Sequence, residues 1–452
     1  MKSPVLCLDF DPASSLAATL SRVPPDARDV LLCGPVPASD LAGLVPWIYH
    51  AAVMDQWEDA GTYLGQEEDH APTIALAQAG RQVRLRWSSA WCDTDLPACE
   101  MHAAFARLDG LLGRLFRNRC LNFASPVALG RHLMASAWRI DNILVPPAPP
   151  EVRATITEGS PQGRHQCLTL PDLQTLPGLY GYDMRLAYLW CCKGLPYGAV
   201  EQEQVTPLQP DAHKVEARWA APEGWSHLGL LPERQQGWAY PAYGRGLVDR
   251  REAELAARND WILWQTVGYR WQHEGALDRW SDGLLKALRD TKDDPTLARM
   301  LRRVALNSIG SLHRSSVRRY RALPAGRESD LPRGCDNLRM SEDGQRYFWY
   351  EESPIAARGL LYVHPEWTTT IWARCRARLA QAALQFPREQ VIALRQDCLF
   401  VTHPHPTWGD DGAVGRFRLK ESYPGPLSAP HTLEEFDAMR REEATRGRQC
   451  HQ

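Results

Sequence analysis

The run Val145-Pro146-Pro147-Ala148-Pro149-Pro150 constrains this chain more than any other feature. Proline locks φ and lacks a backbone donor, so no helix interior or central strand passes through such a run. The run reads as a stiff linker between domains. A second break containing prolines lies at residues 323–334. At roughly 100–200 residues per domain, 452 residues suggest two to four domains. Hydrophobic residues make up 44% of the chain, enough for packed cores and too many for a disordered protein.

Charge leaves the partner class open. The formal net charge is -2, whereas a protein that grips nucleic acid needs positive charge only where the phosphates lie. The question becomes where the arginines cluster. The 12 cysteines form no Cys-x-x-Cys pair, and Cys191 and Cys192 are adjacent. That usage fits reduced thiols in a cytoplasm rather than a disulfide ladder or a zinc site. The apolar run near Met1 is too short for a signal peptide and ends at Asp9. No apolar stretch reaches the roughly 18 residues of a membrane span. The expected setting is cytoplasmic.

Periodicity places a buried strand at residues 5–8 and a helix at residues 101–116, where Phe105, Leu108, Leu111, Leu112 and Leu115 recur at helical spacing. Beyond the proline run, a strand at residues 178–182 leads into a helical stretch at 186–193. Further helices are expected at 250–258, 284–289, 296–321 (broken near Gly310) and 370–384. Short strands at 391–394 and 398–402 flank Arg395-Gln396-Asp397. Strand and helix, then a helical block, then a hairpin make an α+β protein.

Three segments carry chemistry. In Tyr182-Asp183-Met184-Arg185-Leu186-Ala187-Tyr188 an acid stands where a strand gives way to a helix. A carboxylate held there is a good ligand for a hard cation, and equally a good helix cap. In the segment 297–308, Arg299 and Arg303 share one helical face, with Asn307 a turn further on. Paired guanidiniums suit a triphosphate; a solvated basic face fits as well. His313, Arg314, Arg318, Arg319 and Arg321 extend the positive charge. In the third segment, Asp397 lies between two apolar strands, as a metal ligand or as an ordinary turn residue.

Taken in order, these segments resemble motifs A, B and C of family B DNA polymerases, especially the protein-primed replicases of small bacteriophages and linear plasmids. Residues 183–189 resemble D-x-x-S-L-Y-P, keeping Asp183 and Tyr188 but carrying Leu186, Ala187 and Leu189 at the other positions. Leu195-Pro196-Tyr197-Gly198 is similar to a segment that follows motif A. Residues 303–311 resemble K-x-x-x-N-S-x-Y-G, with Arg303 for Lys and with Gly310 and Ser311 for Tyr and Gly. Residues 395–398 resemble D-T-D-S with only the second acid kept. Residues 252–272, ending Gly268-Tyr269-Arg270-Trp271, and Val414-Gly415-Arg416-Phe417-Arg418-Leu419-Lys420 are also similar to family segments. The resemblance spans residues 179–420.

The resemblance implies a palm in which Asp183 and Asp397 hold two divalent ions, Mg²⁺ or Mn²⁺, for phosphoryl transfer from dNTPs to a DNA primer–template. Tyr188 would lie under the incoming sugar, Arg299 and Arg303 would clamp the triphosphate, Asn307 would shape the nucleotide pocket, and Lys420 would approach the primer end. Arg395, where the family has an acid, would repel metal or pair with Asp397. The implied layout is a degenerate RNase H-like exonuclease-type domain at residues 1–150, palm at 151–260, helical fingers at 261–350, and palm with a short tail at 351–452. The charged tail from Glu434 to Glu443 would leave the thumb reduced or absent.

Asp9 and Asp11 resemble the exonuclease D-x-E, and Asp109 the acid of its Y-x-x-x-D; for a middle acid only Asp55, Glu58 and Asp59 offer themselves. The D-x-D fits a strand-end turn equally well. His403 and His405 alternate with prolines, which points to an extended loop. Of the 17 tryptophans, Trp87, Trp91, Trp261 and Trp264 lie in partly apolar segments; most of the set is expected in cores or domain packing, and a minority could stack on single-stranded bases. Three functions follow: a DNA polymerase, a catalytically impaired relative that binds DNA or a replication partner such as a priming protein, or a nuclease working from Asp9, Asp11 and Asp109.

Overall fold

The computed structural model describes residues 5–36, 41–49, 53, 56–59, 62, 73–92, 96–118, 120–204, 212–313, 316–331, 337–341, 343–354, 361–409 and 412–449. Asp55 and Arg314 lie outside them, as do the side chains of Glu58, Asp59, Arg318 and Arg319. The fold mixes helices with sheets and forms two compact units. The first comprises Met1–Asn142 and Asp282–Val363, the second Ile143–Ser281 and His364–Gln452. The first boundary falls just before the proline run, where Asn142 takes a left-handed φ of 52° and ends the helix Pro126–Asp141.

In the first unit, five strands pair in the spatial order Leu6–Asp9, Asp29–Cys33, Arg81–Trp87, Thr73–Gln78, Glu58–Asp59. The first three run parallel, and the last two add antiparallel. Trp87, Val30, Leu32, Leu85 and Phe10 form its buried core. The helix Ala98–Leu115 buries Met101, Phe105, Leu108 and Leu112, following the expected spacing. The helix Pro295–Leu312 packs on Pro126–Asp141 so closely that a Cβ on Gly130 would stand 1.6 Å from Ser308 Oγ.

That basic helix is shorter than its sequence suggests. It ends at Leu312, and Ser316–Pro324 is a strand paired antiparallel with Arg346–Pro354. Beyond Leu312 no apolar stripe continues at helical spacing, and pairing sets Arg318 and Arg319 opposite Glu352 and Glu351. Tertiary partners thus override a helix-compatible composition.

In the second unit, a five-stranded sheet has the order Phe417–Ser428, Thr175–Met184, Cys398–Val401, Val391–Arg395, His165–Cys167. Its neighbours pair antiparallel. Leu176, Leu179, Ile392 and Phe400 pack beneath Phe436 of the helix Leu433–Gln449. The charged tail is thus a helix anchored by Phe436, with Met439 beside it and Arg440 donating to Glu421 at 2.9 Å. A second sheet has the order Tyr243–Asp249, Lys214–Ala220, Ile262–Glu274, Pro196–Gln204. The helix Pro365–Ala383 buries Trp367, Ile371, Cys375 and Leu379. Residues 261–350 divide between the two units: Ile262–Glu274 is a strand of this second sheet, and the basic helix belongs to the first unit. Among the described residues, no helix is long and apolar enough to cross a membrane.

Candidate metal centre

Asp183 is the penultimate residue of the strand Thr175–Met184, whose pairing on both sides fixes its register. The adjacent strand sets Cys398 directly opposite it. Asp397 occupies the two-residue turn between Val391–Arg395 and Cys398–Val401. Gln396 takes a left-handed φ of 57° there, and its N–H donates to the Arg164 carbonyl at 2.8 Å. The Met184 N–H donates to the Asp397 carbonyl at 3.1 Å. Backbone bonds therefore hold both acids on one sheet end, independent of any side-chain contact.

Ligand atoms of Asp183, Asp397 and Cys398 lie within 4.8 Å of one another. Among the described residues, no other group of three His, Cys, Asp or Glu does so. The Cys398 thiol donates to Asp183 Oδ1 at 3.4 Å. Burial and the charge of Asp183 push the Asp397 carboxyl up to about 6. Burial, then Asp397 and Asp183, push the Cys398 thiol far above its usual range, so it stays protonated. Two crowded carboxylates beside a neutral thiol fit a hard divalent cation, which relieves their repulsion. The thiol is a poor third ligand for such an ion.

Cations already approach the pair. Arg418 Nη2 lies 3.6 Å from Asp183 Oδ2, and Lys420 Nζ lies 3.7 Å from Asp183 Oδ1. Both project from Phe417–Ser428, which pairs with the Asp183 strand. Arg395 does not pair with Asp397, contrary to one expectation. Its Nη2 donates to Asp437 Oδ2 at 2.8 Å, on the C-terminal helix. The turn explains this: residues two apart on a regular strand would share a face, but the left-handed φ of Gln396 breaks that relation between Arg395 and Asp397.

Tyr188 sits in the short helix Ala187–Cys191, entered through Leu186 at a left-handed φ of 53°. Burial pushes its phenol well above the usual range, with smaller contributions from Cys375 and Asp397. Arg299, Arg303 and Asn307 lie on the less buried side of the basic helix, opposite Leu297, Met300, Leu301 and Val304. They belong to the first unit, whereas Asp183, Tyr188 and Asp397 belong to the second.

The possible exonuclease acids do not converge. Asp9, Asp11 and Asp109 make no group of metal-ligating atoms. Asp9 Oδ1 accepts the Ala98 N–H at 2.7 Å, at the start of a helix, and Asp11 Oδ1 accepts the Ala13 N–H at 2.9 Å in a turn. Local backbone donors take them, as they take many acids at strand ends. His405 stacks on Trp408 with ring centroids 4.3 Å apart, and His403 Nδ1 meets Thr402 Oγ1. Trp87, Trp91 and Trp261 are buried, but Trp264 is 51% exposed.

Sequence reasoning passed over Cys398 as a site residue. The signal was its place beside Asp397, at the serine of the family motif. Arg418 was noted only within a string. Its role needs the strand register, which sets it opposite Asp183.

No family model matches the sequence, and no curated protein matches it. Solved structures do match. A Phi29 DNA polymerase complexed with primer-template DNA and incoming nucleotide substrates has a TM-score of 0.61 at 12% identity, covering 91% of this chain and 79% of that one. The chain has a fold similar to that of Phi29 DNA polymerase. The complex of that polymerase with primer-template DNA alone scores 0.59 at 13% identity, covering 91% and 78%. Its complex with single-stranded DNA scores 0.57 at 12% identity, with the same coverage. At this identity the likeness is one of fold, and function rests on the site.

Proposed function

We propose that this chain is a template-directed DNA polymerase that transfers deoxynucleotides to a primer through a two-carboxylate metal centre at Asp183 and Asp397. One observation carries the reading. In a fold similar to Phi29 DNA polymerase, the described residues gather one group of acids with ligand spacing, and it joins the two segments that resemble motifs A and C. Asp183 and Asp397 would hold Mg²⁺ or Mn²⁺. Bound there, the ions would acidify the primer 3′-hydroxyl and offset charge on the transferring phosphate. Tyr188 would pack under the incoming sugar. Arg299, Arg303 and Asn307 would meet the triphosphate on the basic helix. Lys420, 3.7 Å from Asp183, would reach the primer end.

A second reading, a DNA-binding relative without catalysis, draws on the same contacts. Arg418 and Lys420 already supply positive charge to Asp183. Primer extension separates the two. The wild type should extend a short DNA primer on its template with Mg²⁺ or Mn²⁺, and Asp183→Ala and Asp397→Ala should each abolish extension. DNA binding without extension under either ion would leave the second reading.

A further inference from the structure

Strand register sets one row of paired residues across the five-stranded sheet of the second unit: Arg418, Asp183, Cys398, Arg395 and His165. Residues paired directly across neighbouring strands project from the same face. Arg395 therefore shares a face with Cys398 and Asp183. The Gln396 turn takes Asp397 out of the strand alternation, but Arg395 keeps the face of its paired neighbours. With strands about 4.8 Å apart, Arg395 stands roughly 10 Å from Asp183 along this row. An extended arginine covers most of that span, and the carboxylate the rest. Asp397 is nearer, its Oδ1 3.8 Å from the sulfur of Cys398.

The C-terminal helix takes Arg395 elsewhere. The Arg395 Nη2 donates to Asp437 Oδ2 at 2.8 Å. Contacts that do not involve this pair hold the helix in place. Phe436 packs edge-on against Phe400, with ring centroids 4.9 Å apart. Arg440 donates to Glu421 Oε2 at 2.9 Å and lies 4.7 Å over the Phe400 ring. Asp437 thus faces the row from a helix with its own anchors. Burial and the charge of Arg395 hold the His165 imidazole below its usual range, and Asp437 opposes them, as expected for three groups side by side.

Charge gives this restraint a purpose. Asp183 and Asp397 offer at most two negative charges, and Arg418 and Lys420 already stand 3.6 and 3.7 Å from Asp183. A third cation on the pair would over-compensate it and compete directly with a divalent ion. We infer that Asp437 is a positioning residue of the metal centre: it holds Arg395 on the C-terminal helix and so keeps that cation off Asp183 and Asp397. The inference rests on the metal centre proposed above and adds a residue, outside the carboxylate pair, that sets its affinity.

The test is a double-mutant cycle on Mn²⁺ affinity, read by electron paramagnetic resonance, with the full-length wild type, Asp437→Ala, Arg395→Ala and the double variant. Thermal melting checks that each is folded, and Asp437→Asn serves where the alanine variant is not. Removing the acid should lower the affinity at least about fivefold while Arg395 is present, and change it less than about twofold in the Arg395→Ala background. Asp437→Glu, which keeps a partner for Arg395, should bind like the wild type. An acid acting only through its long-range field would give the same loss in both backgrounds; that result, or no loss in either, would overturn the inference. A crystal structure of Asp437→Ala grown in EDTA supplies a readout that needs no metal. There the Arg395 guanidinium should lie against Asp183 or Asp397; one still on the helix, or turned to solvent, would overturn the inference. A wild type that binds no Mn²⁺ would count against the metal centre itself, and the metal-free structure would then decide the inference alone.

Discussion

At the residue scale, Asp397 is the most informative group. Its folded carboxyl is raised from 3.8 to about 6, by burial and by Asp183. An acid raised on folding stabilises the protein below its unfolded value, and that stability is lost as pH rises through the folded value. Without metal, the cost is fully present above about pH 6 and absent below about pH 4. At about 1.4 kcal/mol per unit, the penalty at neutral pH is on the order of 2–3 kcal/mol. Asp397→Asn should therefore raise the metal-free melting temperature at pH 7.5 and bring little gain near pH 4; thermal melts in EDTA at both values check this. Arg395 belongs to the same scale. Its pair with Asp437 is about one-third exposed, so Arg395→Ala should cost under about 1 kcal/mol and leave Mn²⁺ affinity within about twofold of wild type. A large rise in affinity would mean that the arginine does act on the metal centre.

At the scale of elements, the sequence disclosed much of the site because its strands are short, apolar and bounded by clear breaks. Residues 391–394 and 398–402 read as strands, and Val391–Arg395 and Cys398–Val401 are strands. The helix 250–258 also stands as expected, fixed by the Asp249–Glu252 capping box. What the sequence concealed depends on long-range pairing. The switch from helix to strand after Leu312 requires the partner Arg346–Pro354, and the turn of Arg395 away from Asp397 requires the C-terminal helix. Helix packing offers a separate test within the first unit. Gly130→Ala would press a methyl into Ser308 and should cost about 1–3 kcal/mol in a denaturant titration. A neutral outcome would mean that the two helices are less closely apposed.

At the scale of the whole molecule, the fold is matched while the sequence is not. The fold is similar to Phi29 DNA polymerase over 91% of the chain, at 12–13% identity. So few identities leave the backbone to carry the likeness, and the segments at Asp183 and Asp397 were legible because each sets an acid at the end of an apolar run. The central claim is that Asp183 and Asp397 form a divalent metal centre. The most direct measurement is Mn²⁺ binding at pH 7.5, by electron paramagnetic resonance, to the wild type, Asp183→Asn and Asp397→Asn. Bound Mn²⁺ in the wild type, with affinity reduced at least about tenfold in each variant, is the expected result, one missing carboxylate ligand being worth at least about 1.4 kcal/mol. Equal binding by all three proteins, or none by any of them, would contradict it.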